Sequence, residues 1–208
     1  TELLQSQGFE VGEVAGACFC CSFNQLTETL GKLEGSQHPD IILAEPVGSC
    51  TDLVATVAQP LMQFANRELE IGPYAVILKP SHGKKILRGS GQRGFSPQAE
   101  YIFRKQLEEA DLLLVNRIDQ LTTQDRDELV ELLNQNFPGR EILCISAKTG
   151  ENIDRLMTAL NQSGEHCRRI LDIDYDIYAA GEAELGWLNA NISIQAEVEF
   201  DLDLILTN

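Results

Sequence analysis

Leu112-Leu113-Leu114-Val115-Asn116-Arg117-Ile118-Asp119 is the stretch whose reading decides the fold. Four apolar residues without alternation suit a strand covered on both faces rather than one with a face in water. The run stops at an amide, with a carboxylate three places on, which places polar chemistry at the strand's carboxyl end. Ile41-Ile42-Leu43-Ala44, Tyr74-Ala75-Val76-Ile77-Leu78 and Ile142-Leu143-Cys144-Ile145 repeat the same apolar pattern and read as three further strands. Between the runs lie stretches with apolar residues three and four apart, which predict helices. One holds Leu53, Val54, Val57, Leu61 and Phe64, with a kink or break expected at Pro60. A second holds Ile102, Phe103 and Leu107. A third holds Leu129, Val130, Leu132 and Leu133, with Thr122 or Thr123 placed to cap it, and a fourth, opened by Asn152, holds Ile153, Leu156, Met157 and Leu160. Such strand–helix alternation predicts an α/β fold, a mostly parallel sheet with helices on both faces, in which ligands bind beyond the carboxyl ends of the strands.

The ends of the chain read differently. From Leu188 to Leu206 every even position is apolar, and every odd position but Ile205 is polar. Period two predicts a half-buried, antiparallel β extension, and its length calls for a bend or bulge. The expected organisation is a nucleotide-binding domain over residues 1–165, incomplete at its N-terminus, followed by a linker and C-terminal β segment over 166–208 that begins a second domain.

Composition narrows the function classes. A net charge of −16 argues against nucleic acid and anionic membranes as partners, because both select positive surfaces. Positive charge gathers only around Lys79 to Arg93, a Gly-containing stretch that reads as a mobile loop with a solvated face. No run approaches the roughly 18 apolar residues of a membrane span, and Thr1 to Glu10 lack the layout of a secretory signal. A cytoplasmic location is expected. Of the six cysteines, Cys18, Cys20 and Cys21 fall within four positions, where mutual disulfides are poor geometry and metal or redox chemistry is the expected use. Cys144 reads as strand packing, and Cys50 and Cys167 carry no clear signal.

Three segments follow three of the apolar runs. Glu45-Pro46-Val47-Gly48 places a carboxylate that can hold Mg2+ through water, and a glycine whose amide can approach a γ-phosphate. Asn116-Arg117-Ile118-Asp119 offers Asp119 as acceptor for the ring N–H and amino group of guanine, a donor pair adenine lacks. Each such charge-assisted bond is worth roughly 1.5–3 kcal/mol. Asn116 would brace neighbouring loops, and Arg117 stands where lysine is usual. Ser146-Ala147-Lys148-Thr149-Gly150 offers the Ala147 amide to the guanine carbonyl and Ser146 to buttress Asp119. Each segment alone is weak; the last two on successive strands, in this order, point to a guanine nucleotide.

With the Cys-x-Cys-Cys sequence Ala17-Cys18-Phe19-Cys20-Cys21-Ser22-Phe23 upstream of Glu-Pro-Val-Gly, the chain resembles the CobW-like branch of the CobW/HypB/UreG metallochaperone GTPases over roughly residues 8 to 160. The resemblance implies a P-loop NTPase-like fold and a GTPase that binds zinc or cobalt and delivers or inserts it with GTP hydrolysis. By it, Cys18, Cys20 and Cys21 are the metal ligands. Glu45 and Gly48 form the catalytic phosphate and Mg2+ sensor, and Asn116, Asp119, Ser146, Ala147 and Lys148 form the base pocket. The implied partners are guanine nucleotide, a client metalloprotein or cofactor-assembly enzyme, and a second copy in a homodimer. The chemistry agrees: thiolates are soft ligands for such ions, a three-sulfur site leaves one tetrahedral position open for transfer, and a helix expected through Leu26, Leu30 and Leu33 would lower the thiol pKa at its N-terminus.

One departure is large. No Gly-x-x-x-x-Gly-Lys-[Ser/Thr] occurs; Gly31-Lys32-Leu33 and Gly83-Lys84-Lys85 lack the spacing and the hydroxyl. The expectation is a domain shown without its phosphate-binding loop, inactive as a GTPase by itself. Asp172-x-Asp174-x-Asp176 resembles the start of a calcium loop but lacks its glycine and its final acid, so it reads as a solvated acidic stretch. His38, His82 and His166 read as surface or turn residues, with His166 beside Cys167 a weaker second metal point. Two rival functions remain: a non-enzymatic metal- or partner-binding module on the same fold, and a thiol redox protein using Cys18, Cys20 and Cys21.

Overall fold

The computed structural model describes residues 2–64, 69–88 and 95–185. Its centre is a parallel sheet of β1 (Ala75–Leu78), β2 (Leu112–Val115) and β3 (Glu141–Cys144), neighbours in that order, with Ala75 opposite Leu112 and Leu112 opposite Glu141. All four residues of β2 are buried, which is what an unalternated apolar run requires. Its side chains divide by parity. Leu113 and Val115 join a core with Leu87, Leu107, Leu129 and Leu133, while Leu112 and Leu114 join another with Leu143, Ile145 and Ala159. The first face is covered by α4 (Pro80–Leu87), α5 (Pro97–Glu109) and α6 (Thr123–Asn136), the second by α7 (Ile153–Leu160). The α/β architecture with helices on both faces is therefore present. Among the described residues no helix is long and apolar enough to cross a membrane.

Local chemistry starts these helices. Ser96 caps α5 by accepting from the Ala99 N–H at 3.1 Å, with Pro97 in the first turn, and Thr122 caps α6 by accepting from the Asp125 N–H at 3.1 Å. Asn152 stands before α7 in a left-handed conformation (φ 61°) and makes no side-chain cap; its amide instead donates to Cys144 O at 2.8 Å. The expected break at Pro60 takes the form of a π-helical turn, Val54–Ala58, that runs directly into α3 (Gln59–Phe64). Widening the turn ahead of a proline accommodates its ring and its missing N–H.

Three expectations are corrected. Ile41–Ala44 is not a strand: residues 38–47 have no regular structure, and Ile41 and Leu43 are 56% and 79% exposed. Only Ile42 packs inward, and without a paired neighbour an apolar run makes no ladder. Second, β1 is not buried on both faces. Ile77 is 62% exposed, because β1 is an edge of the described sheet and the core under α7 reaches only as far as Ala75. Third, the basic stretch from Lys79 is not a mobile loop over its first part but α4. Pro80 opens it, Lys84 pairs with Asp125 and Glu128 of α6, and Arg88 pairs with Glu128. A Cβ at Gly83 would stand 2.5 Å from Leu78 Cδ1, so the glycine sets how closely α4 lies on the sheet. Residues 89–94 lie outside the described set.

The remaining elements form a second packing unit. α1 (Glu2–Ser6) precedes a long irregular segment, and α2 (Phe23–Gln37) buries Leu26 and Leu30 against Cys50, Leu53, Val57 and Leu61. Residues 166–185, read as linker, pack back onto the sheet unit. The Cys167 N–H donates to Asp111 Oδ2 at 3.0 Å, Arg169 donates to Ala110 O at 3.0 Å, and α8 (Tyr175–Glu184) lies on α5. The acidic stretch has a structural use here: Asp174 caps α8, accepting from the Asp176 and Ile177 N–H groups at 3.1 Å. The alternating segment from Leu188 to Leu206 lies outside the described residues.

Candidate nucleotide and metal sites

The turns that leave β2 and β3 meet. Ser146 is fully buried, and its Oγ donates to Asp119 Oδ1 at 2.6 Å while accepting the Thr149 N–H at 3.2 Å. Asn116 Oδ1 accepts two amides, Arg117 N–H at 2.7 Å and Ala147 N–H at 3.1 Å, and so ties one turn to the other. The Ile118 N–H adds a backbone bond to Ile145 O at 3.2 Å. Arg117 holds the first turn in a left-handed conformation (φ 66°), which costs a residue with a Cβ and persists only where its surroundings impose it. Asn116, Asp119, Ser146 and Ala147 are thus brought together at the carboxyl edge of the sheet, with Asp119 open to solvent. The Ala147 amide, expected to serve a purine carbonyl, is engaged by Asn116, so a purine oxygen would have to share or replace that acceptor. Lys148 is exposed on the same turn.

The Cys-x-Cys-Cys segment forms a tight turn ahead of α2, the helix expected through Leu26, Leu30 and Leu33. Sulfur separations are 3.0 Å for Cys18–Cys20, 3.0 Å for Cys18–Cys21 and 3.9 Å for Cys20–Cys21. All three ligand atoms lie within 4.8 Å of one another, and among the described residues no other three metal-binding groups do so. Bonds of about 2.3 Å to a tetrahedral ion set neighbouring sulfurs about 3.8 Å apart, so one pair already fits and two need to open by less than about 1 Å. The donor set is therefore suited to a thiophilic ion. The thiols do not titrate alike. At Cys18 burial pushes the thiol up, but hydrogen bonds with Cys20 and Cys21 outweigh it and the net shift is downward. Burial, then the hydrogen bond and charge of Cys18, push Cys20 up, and the hydrogen bond with Cys18 raises Cys21. His166 and Cys167 are not a comparable point: the His166 ring bonds Gln162 O at 2.9 Å, and Cys167 is buried with its sulfur 3.8 Å from Gly72 O.

Glu45 and Gly48 sit on the irregular segment that runs between the two regions. Glu45 is exposed, and a Cβ at Gly48 would meet nothing within 4 Å, so both are accessible to a ligand. Val47 packs on the same buried cluster as Cys18, Phe19 and Cys20, a cluster that includes Cys50, so this loop and the cysteine segment share one core. Several residues that hold the arrangement escaped the sequence reading. Gln106 of α5 donates to Gly48 O at 2.8 Å and Cys50 O at 2.9 Å, clamping the loop. Glu109 is fully buried and accepts the Val54 N–H at 2.6 Å, and Tyr175 of α8 donates to Asp52 Oδ2 at 2.5 Å. Cys50 is 2% exposed in the cluster on which Cys18 and Cys20 pack. It stands two residues beyond Gly48, at the end of a motif already singled out, and that spacing was the signal available for it.

No solved structure matches the chain. A family model described as CobW/HypB/UreG, nucleotide-binding domain, matches residues 1–143, which take in the cysteine segment, the Glu45–Gly48 loop, β1, β2 and the Asn116–Asp119 turn. The chain therefore belongs to the CobW/HypB/UreG family, of which it carries the nucleotide-binding domain.

Proposed function

We propose that this domain couples a guanine nucleotide to the handling of a transition metal, zinc or cobalt, in the manner of a GTP-dependent metallochaperone. The observation that carries the reading is the set of three thiols within 4.8 Å of one another, two of which share a buried cluster with Val47 of the loop that bears Glu45 and Gly48. Cys18, Cys20 and Cys21 hold the ion, which is cargo and not a fixed cofactor. A three-thiolate site leaves a coordination position through which a client metalloprotein or cofactor-assembly enzyme can take it.

Asp119, held by Ser146, accepts the two guanine N–H donors, and Asn116 fixes the spacing of the two turns. Glu45 suits water-mediated Mg2+, which when bound neutralises phosphate charge, and Gly48 offers its amide to the terminal phosphate. A terminal phosphate drawing on Gly48 pulls through Val47 and Cys50 on the cluster under Cys18 and Cys20, so that the nucleotide's state sets the grip on the metal. Where a phosphate-binding loop completes the site, GTP hydrolysis then makes release directional.

The test is protection from alkylation. With Zn2+ present, Cys18, Cys20 and Cys21 are expected to resist iodoacetamide in peptide mass spectrometry, and to react once a chelator is added. Equal labelling with and without Zn2+ would remove the metal reading and favour the thiol redox alternative.

A further inference from the structure

We infer that Gln106 is the positioning residue of the phosphate-side turn: it holds two backbone carbonyls against α5, so that the Gly48 and Ser49 amides face outward as a two-donor cradle for a terminal phosphate. The inference deepens the nucleotide-coupled function proposed above and rests on it.

Val47 to Cys50 form a turn closed by the Cys50 N–H, which donates to Val47 O at 2.8 Å. Gln106 Nε2 donates to Gly48 O at 2.8 Å and to Cys50 O at 2.9 Å. Thr51 Oγ1 donates to Ser49 O at 3.2 Å. Every carbonyl from Val47 to Cys50 is therefore engaged. In a trans peptide the C=O and the N–H that follows it point opposite ways. The engaged Val47 carbonyl thus turns the Gly48 N–H out of the turn, and the Gly48 carbonyl, held by Gln106, turns the Ser49 N–H away from α5. Among the described residues neither N–H has an acceptor. Successive unpaired amides of this kind bind anions.

Gly48 points to the same ligand by a separate route. Its φ lies outside the left-handed region, and a Cβ there would meet nothing within 4 Å. Neither the backbone nor a protein neighbour requires glycine at this position. Gly83 and Gly181 differ, because Leu78 and Gln98 crowd the place of their missing side chains. At Gly48 the missing Cβ leaves open a close approach to the two amides.

The side chain and its helix suit the task. Both partners of Gln106 are acceptors, so its NH2 group must face them, with one hydrogen for each carbonyl. α5 is a firm base: Ser96 caps it, and Ile102 and Leu107 are buried in the core. Nearly one turn beyond Gln106, Glu109 accepts the Val54 N–H at 2.6 Å, so the same helix also fixes the segment that follows the turn. A turn held ready loses little freedom when a phosphate docks. That advantage goes to a nucleotide whose terminal phosphate reaches Gly48, which separates GTP from GDP.

The experiment measures GDP and β,γ-imido-GTP affinities by fluorescence competition on the full-length protein with its phosphate-binding loop. Wild type is compared with Gln106→Met and Gln106→Glu, which keep the length of the side chain and lack its donors. In each variant the ratio of the two affinities is expected to shift roughly ten-fold toward GDP. Retained GDP binding reports that the variant is folded. Gly48→Ala is expected to shift the ratio in the same direction, and Gln106→Met added to it to shift it by no more than about two-fold further, because both act on one set of bonds. A merely structural role for Gln106 would weaken both nucleotides alike, or add in full to Gly48→Ala. Either result, or an unchanged ratio in the Gln106 variants, overturns the inference and leaves the proposed function standing. An unchanged ratio in Gly48→Ala overturns the phosphate-sensing part of that function and this inference together.

Discussion

Ser146 Oγ donates to Asp119 Oδ1 at 2.6 Å, joining residues 27 positions apart on the turns that leave β3 and β2. The carboxylate is oriented before any ligand arrives. An oriented carboxylate loses less freedom on binding, which is how a surface turn becomes a selective one.

That relationship predicts a base-selectivity change. Asp119→Asn keeps the shape but replaces one acceptor oxygen with a donor, so guanine loses a charge-assisted bond. GDP affinity is expected to fall roughly 10- to 100-fold, and preference over IDP, which lacks the 2-amino group, to collapse. Fluorescence competition measures both. An unchanged GDP-to-IDP ratio would place the base elsewhere.

Glu109 sets a pH dependence. Burial raises its carboxyl from 4.5 to about 7, against the opposing hydrogen bond from Val54. Between those values the folded chain keeps a proton that the unfolded chain has released. The stability this group contributes is therefore full below about pH 4.5 and is lost as pH rises through about 7. Glu109→Gln mimics the neutral acid, and the wild type should lose up to about 3 kcal/mol relative to the variant across that window. Urea unfolding at pH 4.5, 6 and 7.5 reads the difference, and parallel curves would contradict it.

Gly181 fixes how α8 docks. A Cβ there would stand 2.7 Å from Gln98 O and 2.8 Å from Ile102 Cδ1, and the first is backbone and cannot yield cheaply. Gly181→Ala is expected to cost about 1–3 kcal/mol and to loosen the Tyr175 bond to Asp52. Denaturant midpoints test the cost. A variant as stable as the parent would mean that the α5–α8 contact is dispensable.

The parts of this molecule legible in its sequence are those whose causes are local. An apolar run followed by Asn-x-x-Asp or Ser-Ala-Lys specifies a strand and a polar turn within eight residues, and both turns formed and met. Thr122 likewise announces α6 by capping chemistry alone. The misreadings have distant causes. α4 is held by ion pairs to Asp125 and Glu128, some 40 residues on, and by the fit of Gly83 against Leu78. Ile41–Ala44 has the composition of a strand, but pairing decides a strand and composition does not state it. Cys50 shows no spacing to the Cys-x-Cys-Cys segment; only the packing of the phosphate-side loop brings it into the cluster on which Cys18 and Cys20 lie.

The central claim is that nucleotide state sets the grip on the metal, and one measurement addresses it most directly. The Zn2+ dissociation constant is determined by competition with a chelating dye on the full-length protein with its phosphate-binding loop, once with GDP bound and once with a non-hydrolysable GTP analogue, occupancy being verified in each case. The loop shared by Gly48 and Cys50 predicts constants that differ by at least about five-fold. Equal constants for the two nucleotide states would contradict the claim.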